Sequence, residues 1–334
     1  MPGALTRRNF LSFDFGDRRT GVSDHWIRVH RVAMACRFEV MLSSEDARDM
    51  TAARAALDEA DAIEAALTVF RDTSDVSDLN RRASHESVVV QPALFDLLAR
   101  CAELHAGTQG AFDITSTPLS RCWGFLKREG RVPSDSEINE ARSRVGMSHV
   151  VLDEATSTVR FARDGVEVNF GAIGKGYALD QMAHVLGANG TRRALLSAGR
   201  SSVLGLGGRG RGWPVDVRPV LASRRVARLW IRDGAIGTSG AGEQFIEVGG
   251  RRYGHVIDPR NGRPGAGLLG ASVVTGNASD ADALSTAFLI GGASLAERYC
   301  AAHADTLAVL VLDVPGESTI VFGRYDGATL EMRT

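Results

Sequence analysis

The sequence predicts an α+β fold built from mixed, largely antiparallel sheets with flanking helices. Three observations carry that expectation. Strand-like and helix-like patterns come in blocks rather than in strict alternation, which disfavours a doubly wound parallel sheet. Long segments show the three- and four-residue apolar spacing of amphipathic helices, while short apolar or alternating runs dominate from residue 194 onward. A chain of 334 residues with 44% apolar and 24% charged side chains has an ordinary globular composition and enough length for a substantial core.

Residues 1–24 carry no periodic pattern and read as an N-terminal extension to a domain spanning residues 25–334. Within the extension, Thr6-Arg7-Arg8-Asn9-Phe10-Leu11 is similar to the twin-arginine export pattern. Asp14, Asp17, Arg18 and Arg19 then interrupt the apolar stretch that export requires, so a cytoplasmic protein is expected. Residues 26–42 alternate as strand, with an interruption at Met34-Ala35-Cys36. Ala53, Leu57, Ala60, Ile63, Leu67 and Phe70 give a helix one apolar face, ending near Phe70-Arg71. A second helix fits residues 92–105, with Pro92 in its first turn and Gly107 and Gly110 beyond its end.

Residues 150–152 and 158–161 flank Asp153-Glu154-Ala155-Thr156-Ser157 as the arms of a hairpin. A short strand over 166–170 then feeds Gly171-Ala172-Ile173-Gly174-Lys175-Gly176 and a helix over 177–186. Strands follow at 194–197, 215–218, 226–231, 245–248 and 252–257. Helices are expected from near Asp280 and over 294–302, and closing strands at 307–312 and 318–322. The longest late apolar run, 307–312, is far too short to span a bilayer.

Composition excludes several classes of function. Thirty-nine basic against forty acidic residues leave a formal charge of −1, so there is no global field for nucleic acid. Cys36, Cys101, Cys122 and Cys300 form no CxxC pair, which argues against a disulfide scaffold or a structural zinc.

Several constellations carry chemistry. Gly205-Leu206-Gly207-Gly208-Arg209-Gly210 has GxGxxG spacing, yet Arg211-Gly212-Trp213-Pro214 leads into a strand. Without a helix behind it, the motif is a hairpin tip rather than a dinucleotide fingerprint. The 171–176 loop does precede a helix and holds Lys175 at its entrance, which suits a phosphate; glycines that merely permit positive φ are the alternative. Asp282 and Thr286 lie four apart on one helix face, as hard oxygen donors for Mg²⁺, or Ser279 and Asp282 form a capping box. His255 stands near a strand end as a proton acceptor or as a structural histidine, with Asp258 able to raise its basicity if the two face each other. Gly110-Ala111-Phe112-Asp113, with Pro118 and Trp123-Gly124-Phe125, offers aromatics and a carboxylate for a ring-binding wall or a satellite cluster.

Taken in order, these segments resemble the FAD:protein FMN transferase, or ApbE, family from about Met34 to Gly292. The resemblance also uses Phe70-Arg71 with Ser77-Asp78-Leu79-Asn80, Thr238-Ser239-Gly240 and Ala281-Asp282-Ala283-Leu284-Ser285-Thr286-Ala287. It implies FAD, as substrate, between two closely associated subdomains, bound by Met34, Phe70, Ala111, Phe112, Asp113, Asn169, Lys175 and Ile257. It implies Mg²⁺ held by Asp282, Thr286 and the carbonyl of Ala172, and His255 as the catalytic residue. The implied reaction moves FMN to a threonine of an acceptor flavoprotein and releases AMP. An FAD pyrophosphatase and a non-catalytic FAD-binding protein are the alternatives, and the family resemblance keeps a periplasmic or membrane-associated location open. Departures from the family pattern are Asn169 where aspartate is usual, Arg200 after Ala198-Gly199, and Ala241-Gly242 and Gln244 after Thr-Ser-Gly.

Overall fold

The computed structural model describes residues 11–12, 26–126, 129–208, 210–218, 225–242, 245–248, 250–314 and 318–332. The Arg7-Arg8 pattern, nearly all of the N-terminal extension, and Gln244 lie outside the described residues. In chain order the first elements are β1 (Leu11–Ser12), β2 (Trp26–Ala33), β3 (Cys36–Ser43), α1 (Met50–Leu67), α2 (Asp75–Arg82), β4 (Val88–Val89) and α3 (Pro92–Gly107). Next come α4 (Thr117–Cys122), α5 (Asp135–Arg142), β5 (Val150–Asp153), β6 (Thr158–Phe161), α6 (Gly174–Ala188), β7 (Ala194–Ala198), β8 (Ser202–Leu206) and β9 (Trp213–Val217). The rest are β10 (Ala227–Ile231), β11 (Gly234–Gly240), β12 (Phe245–Val248), β13 (Arg251–Gly254), β14 (Ile257–Asp258), β15 (Arg263–Pro264), β16 (Leu268–Thr275), α7 (Ala278–Ala302), β17 (Leu307–Leu312), β18 (Thr319–Gly323) and β19 (Ala328–Met332).

An eight-stranded sheet, ordered β18-β17-β16-β11-β8-β7-β3-β2, forms the spine. Its pairings are all antiparallel. Successive residues of its central strands are buried on opposite faces. Val40 and Leu196 pack with Leu57 and Ala60 of α1 and Leu179 and Met182 of α6. Their neighbours Met41 and Leu195 join Val215, Val217, Leu229 and Ile231 of a four-stranded sheet, β1-β9-β10-β19, on the other side. Burial on both faces is why β7 reads as an apolar run rather than as an alternation. Each of these fully buried Val, Leu, Ile and Met side chains contributes about 1.5–3 kcal/mol.

The second subdomain sets α2, α3 and the β4-β6-β5 sheet against α7. Leu98, Phe112 and Phe161 share one cluster with Leu284 and Phe288, so the two parts have a continuous core. This is the α+β architecture with closely associated subdomains that the sequence leads one to expect. No helix among the described residues is long and apolar enough to cross a membrane.

Several boundaries differ from the sequence-based expectation, each for a local reason. Helix α1 stops at Leu67 because Thr68 is extended (ψ 135°) and its carbonyl accepts from the Ser74 and Ser77 hydroxyls, leaving Phe70 in a loop and 77% exposed. Residues 166–170 join no sheet. The Asn80 side chain takes a strand's place there, accepting from Val168 N–H at 2.8 Å and donating to Val168 O at 3.0 Å. The expected 252–257 strand breaks into β13 and β14, with His255 in the bend between them. The two helices expected near 280 and 294 form one element that changes direction at Gly292 (φ 72°, ψ −172°).

Candidate functional site

A cleft of about 300 Å³ opens between the subdomains, and segments spread from residue 111 to residue 290 line it. One wall comes from Ala111, Phe112 and Asp113 and the start of α4. The Asn169, Ala172 and Lys175 stretch faces it, together with Ser201 and Thr238-Ser239-Gly240 at strand ends. His255 and Ile257 close one side, and Asp282 and Thr286 of α7 form the floor. Ten of the twelve residues expected at the site therefore meet in one cavity. Met34 and Phe70 are not among its lining: Met34 holds the tight β2–β3 turn with Ala35, both at positive φ (48° and 55°), and Phe70 stands in its exposed loop.

The floor is a network around a buried carboxylate. Asp282 is 3% exposed; its Oδ2 accepts from the Gly176 N–H at 2.9 Å and lies 3.4 Å from Lys175 Nζ, while Oδ1 accepts from the Ser202 hydroxyl at 2.5 Å. These donors satisfy a charge that burial would otherwise make costly. The Thr286 hydroxyl donates to the Asp282 carbonyl at 3.3 Å and lies 3.0 Å from Ser239 Oγ, which is itself 2.8 Å from Ser285 Oγ. The capping-box alternative for Asp282 fails. Asn277 is the N-cap of α7, its side chain accepting from Asp280 N–H at 2.8 Å, and Asp282 is free of that duty.

The glycine loop is shaped by close approach rather than by backbone freedom. Gly171, Gly174 and Gly176 all have ordinary negative φ. A Cβ on Gly176 would stand 2.0 Å from Ala278 O, so only glycine lets α6 and α7 touch there. Asn169 accepts from Gly171 N–H at 2.8 Å through Oδ1 and thereby fixes the loop's entry.

His255 meets the Phe125 ring edge-on with centroids 6.4 Å apart, and Phe125 stacks on Trp123 at 6.5 Å. The Trp123 indole N–H donates to Gly262 O at 2.9 Å, tying this aromatic wall to the 258–263 turn. Asp258 is committed to that turn. Its two oxygens accept from Arg260 Nε and Nη2, both at 2.8 Å, and from Asn261, so the carboxylate organises the loop after His255. Asp113 accepts from the Thr115 N–H and hydroxyl through Oδ1, and its Oδ2 lies 3.3 Å from His105 Nδ1. The Asp113 hydrogen bond raises the His105 pKa above its ordinary value, against the opposing effect of burial.

The groups beside Asp282 that could ligate a metal are oxygens, the Thr286, Ser202 and Ser239 hydroxyls and the Ala172 carbonyl, and among the described residues no group of three or more His, Cys, Asp or Glu could hold a metal. One carboxylate with hydroxyl and carbonyl neighbours suits Mg²⁺, which fills its octahedron with waters and substrate phosphates, and not a nitrogen- or sulfur-seeking metal. Burial raises the Cys122 thiol pKa, which disfavours a reactive thiolate there. Ser202 and Ile290 carry no signal in the sequence, because strand β8 has no turn or periodic pattern to announce it and a lone serine or isoleucine carries none.

The cleft's residues can be set against known proteins. The ApbE family profile matches residues 34–311. The FAD:protein FMN transferase of Escherichia coli K12 is 29% identical over 266 residues, covering 77% of this chain and 75% of that protein. The enzyme of the same description from Vibrio cholerae is 30% identical over 255 residues, 74% of each chain. Among solved structures, the ApbE protein of Thermotoga maritima superposes with a TM-score of 0.82 at 26% identity, covering 90% of this chain and 97% of that one. The profile match runs through every wall of the cleft, and on it the chain belongs to the ApbE family.

Proposed function

We propose that this chain, with residues 25–334 as its catalytic unit, transfers FMN from FAD to a threonine hydroxyl of an acceptor flavoprotein and releases AMP. The observation that carries this reading is the convergence, in one cleft, of Lys175, Asp282, Thr286 and His255 beside the Phe112 and Ile257 wall. The names of the relatives give the reaction class. Phe112, Ala111 and Ile257 offer a flat ring an apolar face, while Asp113 and Asn169 offer hydrogen bonds at its edge. Lys175 supplies positive charge for the pyrophosphate.

Asp282, Thr286 and the Ala172 carbonyl would hold Mg²⁺, which supplies neutralisation of charge on the phosphate oxygens. His255 takes the proton as the threonine oxygen bonds to the FMN phosphorus. The bridging P–O bond breaks with its electron pair leaving on AMP. A base of this kind contributes roughly 10²- to 10⁴-fold, and electrostatic stabilisation the larger share.

The test is to incubate the protein with FAD, Mg²⁺ and an acceptor flavoprotein, then follow in-gel flavin fluorescence after denaturation together with AMP release. Fluorescence on the acceptor supports the transferase. AMP and free FMN without labelled acceptor would replace it by a pyrophosphatase, and intact FAD on the protein by a flavin-binding protein. His255→Ala should slow transfer and leave FAD bound.

A further inference from the structure

The start of α7 has an unusual arrangement of partners. The first four N–H groups of any helix lack intrahelical acceptors. Here the regular i→i−4 bonds begin with Ala281 N–H on the Asn277 carbonyl, and Asp280 N–H is met locally by the Asn277 side chain. The other two are met from a different helix: Ala278 N–H donates to Asp180 Oδ1 at 2.6 Å and Ser279 N–H to Asp180 Oδ2 at 2.9 Å. The Ser279 hydroxyl donates to the same carboxylate.

Asp180 lies on α6, in the helix that opens with Lys175 and Gly176. The same first turn of α7 is pressed, backbone to backbone, between two glycines. A Cβ on Gly176 of α6 would meet Ala278 O at 2.0 Å, and one on Gly237 of β11 would meet Ala281 O at 2.3 Å. Contacts this close leave the turn one position along α6, and the three donors on Asp180 fix it there. One residue further along α7, Asp282 then receives the Gly176 N–H.

We propose that Asp180 is a positioning residue: by locking α7 against α6 it holds Asp282 where it meets both Gly176 N–H and Lys175, and so sets the affinity of the cleft for Mg²⁺. The proposal rests on the metal-dependent transfer described above. A carboxylate suits the position because its two oxygens take three donors and its charge faces the positive end of a helix. Asparagine keeps one acceptor oxygen and turns an amide donor toward a backbone N–H.

The experiment is a calorimetric Mg²⁺ titration of the full chain with ADP as the pyrophosphate probe. Wild type, Asp180→Asn, and Leu98→Ala as a destabilised control are compared. Leu98 is fully buried in the α3 core, and its truncation lowers thermal stability through packing alone. Asp180→Asn is expected to weaken Mg²⁺ binding by roughly tenfold, as loss of a supporting partner does at metal sites, with ADP binding in the absence of metal changed less than about twofold. Leu98→Ala is expected to lower the melting temperature and keep the wild-type Mg²⁺ affinity. Ser279→Ala, which retains both backbone donors, should cost about threefold and serves if the asparagine variant does not fold. Unchanged Mg²⁺ affinity in Asp180→Asn, or an equal loss in Leu98→Ala, would overturn the positioning role. Absence of Mg²⁺ binding by the wild type would instead sink the metal reading and the proposal with it.

Discussion

Replacing Gly176 by alanine tests the closest contact at the site. The added methyl would lie 2.0 Å from Ala278 O and 2.4 Å from its carbonyl carbon, and neither is a side chain that can swing aside. Restoring even a tight 3.0 Å contact needs α6 and α7 to part by roughly 1 Å, which would stretch the 2.9 Å bond from Gly176 N–H to Asp282 beyond hydrogen-bonding range. Overpacking costs about 1–3 kcal/mol and losing a hydrogen bond to a charged group about 1.5–3 kcal/mol, while alanine's better helix propensity returns about 1 kcal/mol. The net loss is about 3 kcal/mol, or a fall of about 4 °C in melting temperature for a chain of this size. A 1 Å displacement of a catalytic floor also costs on the order of 10²-fold in turnover.

Thermal unfolding and the FMN-transfer assay, run side by side, measure both. Gly187→Ala on the same helix is the control: nothing lies within 4 Å of its added Cβ, so it should stabilise by about 0.5–1 kcal/mol. Wild-type melting and turnover in Gly176→Ala would refute the close packing of α6 on α7.

Three further outcomes are expected. Asp282→Asn should lower transfer more than about 100-fold while shifting the melting temperature by only a few degrees; unchanged turnover would exclude Asp282 as the ligand of the proposed Mg²⁺. The His105–Asp113 pair raises the folded-state pKa of His105, so its stabilisation is fully present below the ordinary value of about 6.5 and is lost as pH rises through the raised one. The melting-temperature gap between wild type and His105→Gln should therefore be wide at pH 6 and narrow at pH 9, and a constant gap would show that the charge contributes nothing. Phe70→Ala should leave the ligand-free melting temperature unchanged, because the ring is 77% exposed, and weaken FAD binding about two- to tenfold if the ring closes over the flavin; equal FAD affinity would exclude that contact.

Much of the arrangement was legible in the amino-acid pattern because local rules carry it. The α1 and α3 faces follow helical spacing, and the 150–161 hairpin announces itself through its turn residues. What escaped was set by distant partners. Strand β11, rich in glycine, sits in the middle of the large sheet, buried by neighbours on both sides, and little in its composition signals a strand. Residues 166–170 have strand composition and no ladder, because Asn80, far away in sequence, occupies the pairing position. The packing constraint on Gly176 escaped for the same reason. Its lack of a side chain serves a helix that begins a hundred residues later, and no local rule reports that.

The dispersal of the cleft's walls also governs when it can exist. Phe38 pairs with Ala198, Ile236 with Val274, and the floor waits for Thr286 and Ile290. A chain emerging from a ribosome therefore carries the 111–113 and glycine-loop residues long before the helix that completes the cleft, and once β16 has formed it exposes the margin that β17 will cover. Flavin cannot act as an early scaffold for such a chain. Its capture reports that synthesis has passed α7, and truncations short of that helix should yield aggregating chains rather than weaker enzymes.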